Sequence, residues 1–179
     1  RAVIFRDDYQ YIFILWEITQ NMFLIKIIEQ CEKHKIKYAL VGGYALALHG
    51  AVRATVDVDL VLKLDKIQFS KFADAMNELG LSSRLPLVPE QIIEFRQEYI
   101  EKRNLIAWSF INLKNPLEIV DVIITEDLKT MKTIKIHLGK HLVRVASVED
   151  LIRMKKTSGR PQDLVDIARL KKKKKKSKK

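Results

Sequence analysis

The segment Tyr38–Lys63, YALVGGYALALHGAVRATVDVDLVLK, constrains this chain more than any other stretch. It reads as strand, glycine pair, short helix, loop, strand. An apolar run (Tyr38, Ala39, Leu40, Val41) stops at Gly42-Gly43, and a small-residue segment from Tyr44 to His49 closes at Gly50. A second apolar strand then carries Asp57 and Asp59, separated by Val58. Strand neighbours at i and i+2 point to the same face. The two carboxylates therefore stand side by side while Val58 points the other way.

Adjacent carboxylates repel and raise each other's pKa unless a cation or water screens them. Mg²⁺ is the natural cation, because it takes carboxylate oxygens and keeps positions open for water and phosphate. Two such ions about 3.5–4 Å apart can clamp the attacking and leaving oxygens of a phosphoryl displacement. Glycines fit that picture, since a backbone without Cβ atoms at a helix N-terminus can approach phosphate closely.

A third acid comes from Leu117–Ile124. Alternation puts Leu117, Ile119, Asp121 and Ile123 on one face, and Glu118, Val120, Val122 and Ile124 on the other. Asp121 among apolar neighbours has no packing reason to be there. It completes a three-carboxylate site if this strand pairs beside the Asp57–Asp59 strand; Glu118 is the alternative.

Gly42-Gly43, a short helix, then Arg53-x-Thr55-x-Asp57-x-Asp59 resemble the signature of the nucleotidyltransferase superfamily that includes DNA polymerase β. More narrowly, the chain resembles the small bacterial nucleotidyltransferases of the AbiEii and MenT toxin type. That family carries a third acid on a later strand, then a lysine followed by Gly-Arg-Pro-x-Asp and a further Asp. Asp121 and the segment MKKTSGRPQDLVD from Met154 to Asp166 match those places in order. The resemblance implies an α/β (α+β) fold, with a minimal polymerase-β-like core of mixed sheet flanked by helices and a small C-terminal helical segment. It implies that Asp57, Asp59 and Asp121 hold Mg²⁺ and catalyse, and that Gly42, Gly43, Arg53, Lys155 and Asp163 hold an NTP donor. Lys156 is the rival to Lys155, and only one of two adjacent helix positions can face the site. The implied acceptor is a tRNA end or a protein hydroxyl, with a cognate antitoxin as partner. Small molecules, as in antibiotic-modifying relatives, are the other acceptor class, and a nucleotide-binding regulatory module without turnover is the non-enzymatic alternative.

The rest of the chain frames this segment. Residues 1–20 form an extension with an apolar run, Tyr11–Trp16, too short to span a bilayer and lacking signal-peptide features. Residues 21–146 form the core, 147–170 a helical segment completing the nucleotide site, and 171–179 a lysine-rich tail expected to be solvated and disordered. Eight tail lysines carry most of the net charge of +11 and leave +3 for the body. That tail raises a plain RNA-binding reading, in which lysines bind by counterion release. The single cysteine, Cys31, excludes an internal disulfide and favours a reducing cytoplasm. It falls on an apolar helix face with Leu24, Ile27 and Ile28, where it packs as a small hydrophobe.

Helices are expected at 21–34, 67–79, 90–103, 147–157 and 161–170, hairpins at 104–124 and 134–145, and a loop at 81–89. His34, His49, His137 and His141 show no zinc-ligand spacing. Neither a Ser-His-Asp triad nor a spaced-glycine dinucleotide fingerprint is present.

Overall fold

The computed structural model describes residues 22–51 and 55–176. The expected N-terminal extension and Arg53 lie outside those residues. A mixed seven-stranded sheet, flanked by helices, organises the described chain. Helix α1 (22–33) precedes β1 (Tyr38–Leu40), α2 (Gly42–Leu48) and β2 (Val58–Leu62). Then come α3 (Lys66–Glu78), β3 (Leu81–Ser83), α4 (Pro89–Glu94), α5 (Arg96–Arg103), β4 (Ala107–Asn112) and β5 (Asn115–Ile123). A 3₁₀ turn (Leu128–Thr130) leads to β6 (Thr133–Leu138), β7 (His141–Ala146), α6 (Val148–Ser158) and α7 (Pro161–Lys176).

The strand order is β3-β4-β5-β2-β1-β7-β6. Strand β2 runs parallel to β5 and antiparallel to β1, which in turn runs parallel to β7. The pairing that matters is β2 with β5, whose register sets Asp59 opposite Asp121 and Leu60 opposite Val122. Alternation then separates two faces. Val58, Leu60, Leu62, Val120 and Val122 are fully buried, whereas Asp57, Asp59 and Asp121 are partly exposed. The apolar face is sealed by α3: Phe69 stacks on Trp108 at 5.9 Å between centroids, and Phe72 meets Phe110 edge-on at 5.6 Å. Each of these rings is nearly inaccessible to water, and burying an aromatic contributes on the order of 2–3 kcal/mol. The acid-bearing strands are thus braced from behind.

Some elements differ from expectation. Residues Leu81–Ser83 form a short edge strand pairing with β4, where the prolines suggested a loop. The single helix expected at 90–103 is two, because Phe95 (φ −101, ψ 16) ends α4 and begins α5. There the Arg96 guanidinium donates to the Ile124 carbonyl, tying the break to the end of β5. Helix α7 continues past Leu170 to Lys176. The run Lys171–Lys176 contains no glycine or proline, and lysine is a fair helix former, so nothing local stops the helix.

Candidate active site

Two turns of backbone bring the acids together. Strand β1 ends at Leu40, Val41 donates its N–H to the Asp59 carbonyl at 2.9 Å, and Gly42 opens α2 at φ +61. That left-handed conformation suits glycine. A Cβ on Gly42 would fall inside the Asp59 carboxylate, and one on Gly43 would overlap the Thr55 side chain. The space left by the glycine pair is therefore taken by this protein's own side chains. The pair draws the start of α2 onto Asp59 and Thr55.

Asp57, Asp59 and Asp121 each present a carboxylate oxygen such that the three atoms lie within 4.8 Å of one another. Glu118 is elsewhere, on the opposite side of β5, accepting from Asn112 Nδ2 at 2.6 Å. Glu126 is bound by Arg153. Burial pushes the Asp121 carboxyl up from its usual range, as does the Asp57 charge; a Ser109 hydrogen bond and the Arg84 charge pull the other way, and the net shift is upward. Asp121 Oδ1 is buried without a hydrogen-bond partner. An unpartnered buried carboxylate oxygen costs about 1–3 kcal/mol or more. A hard cation held by this oxygen together with one from each of Asp57 and Asp59 would repay that cost, so the donor set fits Mg²⁺. Tyr44 stands near the same acids: burial and then the Asp57 charge push its hydroxyl up to about 12.

The site extends along a row that the sequence reading missed. Ser109 pairs with Asp121 across β4–β5. Arg84, just beyond β3, donates its backbone N–H to the Ser109 carbonyl at 2.9 Å. Arg84, Ser109, Asp121 and Asp59 therefore line up across four neighbouring chain segments. Ser83 fixes this edge, since its Oγ accepts from Trp108 Nε1 at 2.8 Å and donates to the Leu85 carbonyl at 2.7 Å.

Lys155 and Asp163 belong to a second cluster. The resemblance has Lys155 face the phosphates, but it is only 6% exposed. Its Nζ donates to Asp163 Oδ1 at 2.9 Å and to Asp166 Oδ2 at 2.7 Å, and both acids are fully buried. The signal was available: Lys155 follows Leu151 by four positions on the inner face of α6, and Asp163 and Asp166 share the inner face of α7 with Ile167 and Leu170. Arg160 adds a local pair with Asp163, Nε to Oδ2 at 3.0 Å. Burial pushes the Asp163 carboxyl up, but hydrogen bonds from Arg160, Lys155 and Ser158 together hold it well below the usual range. Lys156 is exposed. His49, beside the glycine segment, instead ties α2 to β7 through Nε2 and the Ala146 carbonyl at 2.8 Å.

Comparison with known proteins identifies the family and the fold. Residues 15–173 match the family model described as "Nucleotidyltransferase of unknown function (DUF6036)". The chain belongs to the DUF6036 nucleotidyltransferase family. This DUF6036 chain also shares its fold with solved structures. One is ANT(2")-Ia in complex with adenylyl-2"-tobramycin, at 13% identity and TM-score 0.59, covering 85% of this chain and 87% of that one. Another is the lincosamide antibiotic adenylyltransferase LnuA with lincomycin bound, at 13% identity and TM-score 0.58, covering 84% and 95%. A third is an antigenic nucleotidyltransferase-like protein from Paracoccidioides brasiliensis, at 17% identity and TM-score 0.55, covering 85% and 75%. No curated protein sequence matches the chain. Among the described residues, no helix is long and apolar enough to cross a membrane.

Proposed function

We propose that this DUF6036 member transfers a nucleoside monophosphate from an NTP to a hydroxyl acceptor and releases pyrophosphate. The observation that carries the reading is the convergence of Asp57, Asp59 and Asp121 within 4.8 Å. These three carboxylates would hold Mg²⁺, which when bound supplies charge neutralisation on the phosphoryl oxygens. The acceptor oxygen forms a bond to the α-phosphorus, the bond from that phosphorus to the β-bridging oxygen breaks, and pyrophosphate leaves. Asp121 is suited to take the acceptor's proton, because burial raises its affinity for one. Ser109, hydrogen-bonded to Asp121, keeps that carboxyl oriented while the proton moves. Gly42 and Gly43 let the start of α2 pack against Asp59 and Thr55, and in this reading a nucleotide's phosphates would approach that end of the helix.

The acceptor follows from charge. Arg84 borders the acid row, and Lys171–Lys176 continue α7 as a basic helix. A chain of net positive charge favours a polyanion over a polycationic aminoglycoside. We therefore favour an RNA acceptor, the tRNA end of the toxin-type resemblance, over a protein hydroxyl or the small molecules bound by the solved neighbours. A cognate antitoxin belongs to the same reading. The test incubates the protein with each α-³²P-labelled NTP, Mg²⁺ and separate pools of RNA, protein, and aminoglycoside and lincosamide antibiotics. Label is expected in RNA and is lost with Asp57→Asn. Label in the antibiotics alone overturns the acceptor assignment; absence of label from every pool counts against the transferase reading.

A further inference from the structure

Resting on that nucleotidyltransferase reading, we infer that Arg160, rather than Lys155, is the cation this chain offers to the triphosphate of the bound NTP, and that Lys155 is the buried post that positions it. The ammonium of Lys155 is committed: it is 6% exposed and donates to two fully buried carboxylates at 2.9 and 2.7 Å. Releasing it toward a ligand would leave Asp163 and Asp166 buried without their cation, a strongly unfavourable exchange. Arg160 is arranged the other way. Its side chain is 68% exposed, although it is gripped at its base by Asp163. The grip uses Nε to Oδ2 at 3.0 Å, Nη2 to Oδ1 at 3.4 Å and the Arg160 backbone N–H to Oδ2 at 3.2 Å. A guanidinium has five N–H donors in a planar fork, so a carboxylate on one edge orients the other edge for a second anion. The geometry is a relay: Lys155 fixes Asp163, and Asp163 aims Arg160.

Two observations relate this relay to the segment that carries the acids. At its far end the Lys173 side chain of α7 reaches Gly50, the residue that closes the loop after α2, with Nζ 3.4 Å from the position a Cβ there would take. At its near end Arg160 feels the charge of Asp59, the same carboxylate that packs over Gly42. The exposed edge of Arg160 is therefore within reach of the charge of one member of the acid triad, Asp59. Mg²⁺ on those acids and an arginine beside them would grip one polyphosphate from two sides.

The test is equilibrium binding of fluorescent ATP, GTP, CTP and UTP analogues in Mg²⁺, which needs no acceptor, together with thermal unfolding of each variant. For Arg160→Gln we expect at least a tenfold weaker triphosphate affinity, with the protein still folded and its melting temperature lowered less than by Lys155→Met. Arg160→Lys should recover part of the affinity, and the loss should shrink for the corresponding nucleoside monophosphate. Lys155→Met should lower the melting temperature. If Arg160→Gln binds the triphosphate as tightly as wild type, the inference fails. It also fails if Lys155→Met melts like wild type yet loses triphosphate affinity, since Lys155 would then be the phosphate ligand. Should wild type bind no nucleotide at all, the nucleotidyltransferase reading itself is what fails.

Discussion

Two groups of acids sit in this molecule and are treated in opposite ways. Asp163 and Asp166 are fully buried, and each receives the Lys155 ammonium, with Arg160 added on Asp163. Asp57, Asp59 and Asp121 are only partly buried, crowd within 4.8 Å, and leave Asp121 Oδ1 without a hydrogen-bond partner. In the first group the cations come from the chain itself. In the second the arrangement calls for a cation from outside. Burial alone does not separate the two groups; the source of the counter-charge does.

The largest expected effect breaks the first group. Lys155→Met leaves two buried carboxylates without their shared cation, which should cost about 3–5 kcal/mol of stability, read from urea unfolding. A loss under about 1 kcal/mol, the range of surface pairs, would mean that the cluster is not buried in solution.

The next effect runs through the second group and should have the opposite stability signature. Asp121→Asn should lower transfer by about 10²–10³-fold, the scale for removing one preorganised electrostatic partner. It should leave the metal-free protein as stable or slightly more so. The sign follows from the raised carboxyl of Asp121: ionisation there disfavours the folded state, so stability falls as pH rises through its folded pKa, and asparagine removes that loss. Thermal unfolding at neutral pH without Mg²⁺ checks it.

Acid titration sharpens the contrast. The Asp163 carboxyl is held below its ordinary value, so its contribution is fully present above the unfolded pKa of about 3.9 and disappears as pH falls below it. The stability curve should therefore drop on the acid side, and Asp163→Asn should flatten that limb while lowering stability at pH 7.

The smallest effect is a control on the scaffold that both groups share. Ser147 Oγ accepts from the Asp150 N–H at 3.2 Å and caps α6, the helix that carries Lys155. Ser147→Ala should cost about 1 kcal/mol and leave nucleotide affinity as it was.

Legibility in the sequence followed the same divide. The acid triad could be picked out because each acid sits between apolar strand residues: Asp57 between Val56 and Val58, Asp59 between Val58 and Leu60, and Asp121 between Val120 and Val122. Alternation fixes faces locally, and the β2–β5 register then joins them. The Ser147 start of α6 and the Pro161 start of α7 were legible from capping chemistry. Arg84 and Ser109 were not, because Arg84 reaches the site through a strand of three residues, too short for any periodicity to register. The inward face of Lys155 was legible from its spacing to Leu151, but its partners were not: only the closure of α6 on α7 brings Asp163 and Asp166 to its ammonium. The glycine pair could be recognised but not its packing role, since only the fold shows that Asp59 and Thr55 fill the space above it.

The measurement closest to the central claim is Mn²⁺ binding, followed by electron paramagnetic resonance with and without NTP, in wild type and in Asp57→Asn, Asp59→Asn and Asp121→Asn. The account predicts NTP-enhanced Mn²⁺ binding that each of the three substitutions weakens, because acids from β5 and from the start of β2 share one site. Binding that Asp121→Asn leaves untouched would contradict it.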